Sequence, residues 1–302
     1  MNKIFDFKSI DKSEKIIRLT WESFRNSIAT GKYTFNQPEL ALHDTYLKVF
    51  NDLFQDIDVR RYLSLKISHL ISSNARFCRG AKLNSNETIS YDRFIPKKEY
   101  INEDNRFSPK GYDWLYLTMQ SGSPKYTSTY EPMEECCIKE CRIRDGDRFS
   151  ICHFMLNDSF GYKKIVNLTT SDDYSYDFIN GNLERFAQEL KPKVIRDIFR
   201  DGKMADNTKE DFFIECKKWV TYTYSKLMSE QLFKPLDTDN KELIYAPFQC
   251  IAQYFISQGF YGIIYKSTVY ENAKNMVLFN KAYARPTGTI NDFIYKDGAL
   301  SI

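Results

Sequence analysis

Asn105-Arg106-Phe107-Ser108-Pro109-Lys110-Gly111, leading through Tyr112 into Asp113-Trp114-Leu115-Tyr116-Leu117, is the stretch on which the reading of this chain turns. A Ser-Pro-x-Gly sequence ahead of an apolar run marks a tight turn that feeds a strand. Such a turn sets Arg106 beside the far end of the strand and lets Tyr116 present its ring from it. Taken alone, the stretch is only a turn, and its plain reading is a surface arginine and a half-buried tyrosine.

Working outward, the N-terminal side reads as helix. Ile17, Trp21, Phe24 and Ile28 recur at helical spacing after an Asp11/Ser13 start signal, and Gly31 follows as a stop. A second stripe, Leu42, Tyr46, Phe50, Leu53 and Ile57, follows Pro38, and a third holds Tyr62, Leu63, Ile67 and Leu70. From Arg76-Phe77-Cys78-Arg79 onward the pattern becomes short segments broken by turn residues. Strand-like runs stand at 114–118, 148–154 and 163–168, and helical spacing returns over 177–200 and 208–229. After Pro235 a helix over 247–258 and strands over 262–265 and 276–280 complete the pattern. The expected architecture is α+β, with a helical N-terminal extension (1–72), a main domain (73–302) and a helical insertion in it at about 172–230.

Bulk composition narrows the function classes. With 43 basic against 40 acidic residues the net charge is +3, too small for a polyanion-binding field, so nucleic acid is not an expected partner. The runs Arg60-Arg61, Lys97-Lys98 and Lys163-Lys164 read as solvated faces. No stretch approaches the roughly 18 to 20 apolar residues of a membrane span. Seven irregularly spaced cysteines and a start, Met1-Asn2-Lys3-Ile4-Phe5-Asp6, without an apolar segment point to the reducing cytoplasm.

Two further stretches carry chemistry. Lys139-Glu140-Cys141-Arg142 through Asp145-Gly146-Asp147 to Ser150-Ile151 reads as a helix end, an Asp-Gly turn and a strand. A carboxylate on the last helical turn gains nothing from the helix dipole, which makes Glu140 a candidate for function, with pairing to Arg142 or Arg144 as the plain structural reading. Downstream come Pro247-Phe248-Gln249-Cys250-Ile251-Ala252-Gln253-Tyr254, Gly262-Ile263-Ile264-Tyr265-Lys266-Ser267-Thr268 and Asn275-Met276-Val277-Leu278-Phe279, which bring hydroxyls and an amide to strand ends.

In order and spacing these stretches resemble the RES domain family, over about residues 75 to 282. The resemblance implies an ADP-ribosyltransferase-like fold and an enzyme that degrades NAD⁺ by phosphorolysis or hydrolysis, often as a toxin held by an antitoxin. Carried over by motif, it implies catalytic roles for Arg106, Tyr116 and Glu140, and nucleotide contacts from Arg79, Ser267 and Asn275. The residue types suit that chemistry. Arginine offers a planar bidentate donor to a diphosphate, an aromatic ring offers a face to nicotinamide, and a carboxylate stabilises the positive charge that builds on ribose as its glycosidic bond breaks. NAD⁺ is then the substrate, phosphate is a candidate co-substrate, and no metal or further cofactor is expected.

Two departures stand beside the resemblance. The step from Tyr116 to Glu140 is lengthened by an apparent insertion at 121–132, which keeps Glu135 open as the carboxylate. The helical block at 172–230 separates the second stretch from the third. Transfer of ADP-ribose to a macromolecule, and nucleotide binding without turnover, remain the alternative functions. The N-terminal helices leave three roles open: an inhibitory cap, a dimer interface or a surface for an antitoxin or regulatory protein.

Other signals fall away. Cys136, Cys137, Cys141 and His153 lack zinc-knuckle spacing, and these cysteines read as core thiols, as do Cys78, Cys152, Cys216 and Cys250. His43, His69 and His153 have no nucleophile beside them in sequence, and neither a Gly-x-Gly-x-x-Gly nor a phosphate-loop motif is present.

Overall fold

The structure, a computed structural model, describes residues 10–32, 37–121, 130–231, 241–271, 273–296 and 299–301. The expectations placed on Met1 to Asp6, on Pro235 and on most of the 121–132 insertion lie outside these residues. In chain order the first elements are helices α1 (Ile10–Ala29), α2 (Pro38–Ala41), α3 (Thr45–Phe54) and α4 (Ile57–Tyr62), strand β1 (Ser64–Lys66), helix α5 (Ile67–Ser72), and strands β2 (Arg76–Leu83) and β3 (Leu115–Gln120). Then follow α6 (Pro132–Glu140), β4 (Arg148–Leu156), β5 (Lys164–Asn167), α7 (Tyr176–Asp201), α8 (Asp206–Gln231) and α9 (Lys241–Ser257). The strands β6 (Gly262–Lys266), β7 (Lys274–Leu278), β8 (Ala284–Lys296) and β9 (Ala299–Ser301) close the chain. The protein is mixed α/β and forms two compact units.

One unit is helical and gathers α1, α3, α4, α7 and α8. The α1 stripe Ile17, Trp21, Phe24 and Ile28 is buried as its spacing predicts, and Gly31 beyond its end takes φ +77°, a conformation that glycine adopts at no steric cost. Trp21 of α1, Tyr46 of α3 and Tyr224 of α8 meet in the core, with ring centroids 4.9 Å apart for the first pair and 5.1 Å for the second. At the α7–α8 joint, Asp197 accepts hydrogen bonds from the Thr208 hydroxyl at 2.7 Å and the Ala205 amide at 3.2 Å.

Two of the predicted helical stripes are divided. Asp44 accepts from the Tyr46 amide and starts α3 as its N-cap, so Leu42 lies before that helix, and Ile57 opens α4 and is 65% exposed. The stripe from Tyr62 to Leu70 is interrupted because residues 64–66 pair antiparallel with β5. In α7 Leu183 and Leu190 are buried, while Phe178, placed on the same stripe, is exposed.

The domain boundary also moves. Ile67 and Leu70 of α5 enter the core of the sheet, so the boundary expected after residue 72 falls between Leu63 and Ser64. The 172–230 block belongs with the N-terminal helices in one unit, because the Trp21–Tyr46–Tyr224 cluster binds α8 to α1 and α3.

The other unit is built on a sheet whose described strands run in the order β1-β5-β6-β7-β3-β2-β4-β8-β9. β5 and β6 are parallel and the other neighbours antiparallel. One face buries Phe77, Leu115, Leu117, Met119, Phe154, Met276 and Leu278. On the other, Cys78, Phe149 and Ile151 pack with Met133, Cys137 and Ile138 of α6. Lys163, expected to be solvated, instead has its ammonium 3.5 Å from the Tyr261 ring centroid, with Phe160, Tyr162 and Tyr283 also around it. No helix among the described residues is long and apolar enough to cross a membrane.

The centre of this sheet is split. β2 pairs with β3 only from Arg76↔Gln120 to Cys78↔Thr118. Beyond that point β2 continues against β4 as far as Leu83↔Arg148, while β3 continues against β7 as far as Leu115↔Leu278. A cleft of about 530 Å³ lies there, lined by Arg79 and Gly80 from one strand and by Tyr116 and Leu117 from the other.

Candidate active site

The turn ahead of β3 is held at several points. Phe107 is fully buried and meets the Tyr265 ring edge-on at 4.9 Å. Ser108, also fully buried, shares a hydrogen bond of 2.9 Å with the Tyr116 hydroxyl. The carbonyl of Asn105 accepts from the Gln249 side chain of α9 at 3.2 Å, and Gly111 turns the chain with φ +81°. Arg106, between these fixed neighbours, lies on the cleft wall with its guanidinium 5.9 Å from the Tyr265 ring centroid.

The floor follows from strand register. Cys78, Thr118, Asn275 and Tyr265 are successive partners across β2, β3, β7 and β6, so their side chains share one face, and all four line the cleft. Thr118 donates to the Met133 carbonyl at 3.0 Å and thereby ties β3 to α6. Tyr116, two residues before Thr118, points to the same side.

Helix α6 supplies the carboxylate. It begins with Glu131 as N-cap, a reciprocal bond with Glu134 and Pro132 in the first turn, and it ends at Glu140 on the cleft. Glu140 Oε1 accepts from Asn275 Nδ2 at 2.6 Å and from Ser267 Oγ at 2.9 Å. Both donors are buried, and the Ser267 oxygen itself accepts from the amides of Val269 and Tyr270, each at 3.2 Å. Glu140 is thus bonded to strand-end donors rather than to Arg142 or Arg144. Glu135 takes the Tyr270 hydroxyl at 2.8 Å and Lys139 at 3.4 Å and does not line the cleft. Glu134 pairs with His153 at 3.0 Å.

The charged lining is mixed, with Arg79, Arg106 and Arg142 set against Glu103, Asp104 and Glu140. Arg79, Arg106 and Arg142 line the cleft, and among the described residues none of the three forms an ion pair. Among the described residues Arg79 Nη1 is buried without a hydrogen-bond partner, and burial holds its guanidinium below the ordinary arginine value. Burial raises the Tyr116 phenol against the opposing bond from Ser108, so the ring stays neutral. The thiols are poor nucleophiles here. Burial pushes Cys136 up to about 12, and the hydrogen bond with Cys137, followed by burial, holds Cys141 well above its usual value. No group of three or more His, Cys, Asp or Glu among the described residues is arranged to hold a metal ion.

No family model, curated protein or solved structure matches the chain. The geometry itself brings Arg79, Arg106, Tyr116, Glu140 and Asn275 to one cleft, with Ser267 bonded directly to Glu140. Thr118, Tyr245, Tyr265 and Arg142 also line it and were not among the residues singled out for the site. Thr118 and Tyr265 carry a signal in sequence, since each lies two residues from a chosen position, Tyr116 or Ser267, on the same side of a strand. Arg142 carried the opposite signal, because its place two residues after Glu140 suggested an ion pair.

Proposed function

We propose that this chain cleaves the nicotinamide–ribose bond of NAD⁺, using an ADP-ribosyltransferase-like cleft of the kind its motifs resemble. The observation that carries this reading is Glu140, bonded through one oxygen to Ser267 and Asn275 on a wall of the cleft that also holds Arg79, Arg106 and Tyr116. A carboxylate so held has its orientation set before any substrate arrives, which is what stabilisation of a transient cation requires.

The roles follow from chemistry. Arg79 and Arg106, which form no ion pair among the described residues, are donors suited to the diphosphate. The neutral Tyr116 ring offers a face to the nicotinamide. As the bond between the ribose anomeric carbon and the pyridinium nitrogen breaks, the electron pair leaves with nicotinamide, and the ribose becomes an oxocarbenium ion beside Glu140. Water or phosphate then adds to that carbon, releasing ADP-ribose and a proton in the first case and a phosphorylated ADP-ribose in the second.

The test is chromatography of nicotinamide and ADP-ribose products after incubating the purified chain with NAD⁺, with and without phosphate. Nicotinamide release that falls at least a hundredfold in Glu140→Gln, with NAD⁺ still bound, supports the reading. Release only when a macromolecular acceptor is added makes the protein a transferase. Binding of NAD⁺ with no release under any condition makes it a binding module.

A further inference from the structure

Residue 142 follows the last turn of α6, with Cys141 as the C-cap, and its backbone takes φ +50°. A left-handed residue just past a helix end is usually glycine or asparagine, because a Cβ there is crowded. This chain places an arginine in that position, so the backbone is not what calls for the residue. The side chain is exposed, lines the cleft beside Glu140 and Arg79, and forms no ion pair among the described residues. Glu140, which could have neutralised it from two residues away, is bonded instead to Ser267 and Asn275.

We infer that Arg142 is a phosphate-binding residue of the cleft, which grips the diphosphate of the substrate from the lip while Arg79 holds it from within. This rests on the reading of the cleft as a site for NAD⁺ and adds a residue that separates ligands with phosphate from those without. An exposed guanidinium with no ion pair among the described residues gains a charge-assisted bond when the anion is present.

The test uses the full chain and two probes, ADP-ribose and adenosine, titrated by calorimetry. Arg142→Gly suits φ +50° and removes the side chain, so its melting temperature should equal or exceed that of the parent. Its affinity for ADP-ribose should fall about tenfold or more, the loss of one bond to a charged group, with adenosine affinity unchanged. Arg142→Lys should recover part of the loss. Equal ADP-ribose affinity in Arg142→Gly and parent overturns the assignment of Arg142 while leaving the site reading intact, as does an equal loss for adenosine. A parent protein that binds neither ADP-ribose nor NAD⁺ overturns the site reading and this assignment with it.

Discussion

Replacing Asn275 by aspartate exchanges a hydrogen-bond donor for a second carboxylate of the same shape, 2.6 Å from Glu140 Oε1. At that separation two unit charges repel by about 6 kcal/mol at an effective dielectric near 20 and by about 1.6 kcal/mol in bulk water. Asn275 is 5% exposed and Glu140 is solvent-exposed, so the pair lies between these limits. The protein has two ways out. Sharing a proton between the carboxylates costs about 1.4 kcal/mol for each pH unit above the ordinary carboxyl range near 4, or about 4 kcal/mol at pH 7. Swinging Glu140 into solvent forfeits its bond from Ser267 as well, at about 1.5 to 3 kcal/mol. The second route is cheaper at neutral pH and the first below about pH 6, where the two costs cross.

Asn275→Asp should therefore be less stable than the parent by about 2 to 3 kcal/mol at pH 7 to 8, and the gap should narrow to about 1 kcal/mol near pH 5. The sign is that of a carboxyl pair which binds a proton more readily folded than unfolded, so stability is gained as pH falls and lost as it rises. Urea unfolding at half-unit steps from pH 5 to 8 reads this directly, with Asn275→Ala as the variant that lacks the added charge. A gap between Asn275→Asp and the parent that is the same at every pH would refute the reasoning, since the added carboxylate would then not be facing Glu140.

A Cβ at Gly80 would come 2.3 Å from Phe149 Cζ and 3.0 Å from Cys137 Sγ, so Gly80→Ala should cost about 1 to 3 kcal/mol in urea unfolding, part of it recovered by Phe149→Leu. Asp197, held below the ordinary aspartate range first by the Thr208 hydroxyl and then by the Ala205 amide, stabilises the α7–α8 joint in its charged form. Its contribution is complete above the unfolded value near 3.9 and is lost as pH falls through the lower folded value, so the melting-temperature gap between parent and Asp197→Asn should be full at pH 6 and close below about pH 4.

Local pattern determined much of this protein. The α1 stripe, the C-terminal stop at Gly31, the helical hairpin of α7 and α8 and the strands β3 to β7 are written in spacings of two and three to four residues, which follow from backbone geometry alone. The turn at 105–111 and the helix ending at Glu140 are equally local, and Arg106, Tyr116 and Glu140 stand out on them, whereas Thr118, Tyr245, Tyr265 and Arg142 of the same cleft do not. Pairings between distant residues could not be read this way. The strand at 64–66 exists because residues a hundred positions later lie beside it, and it cuts a run whose spacing reads as helix. The long strand β8, the split between β2 and β3, and the bonding of Glu140 on the cleft depend on register and on donors at Ser267 and Asn275, some 127 and 135 residues away in the chain. Spacing records what a segment can form with itself, and these features are set by which segment it meets.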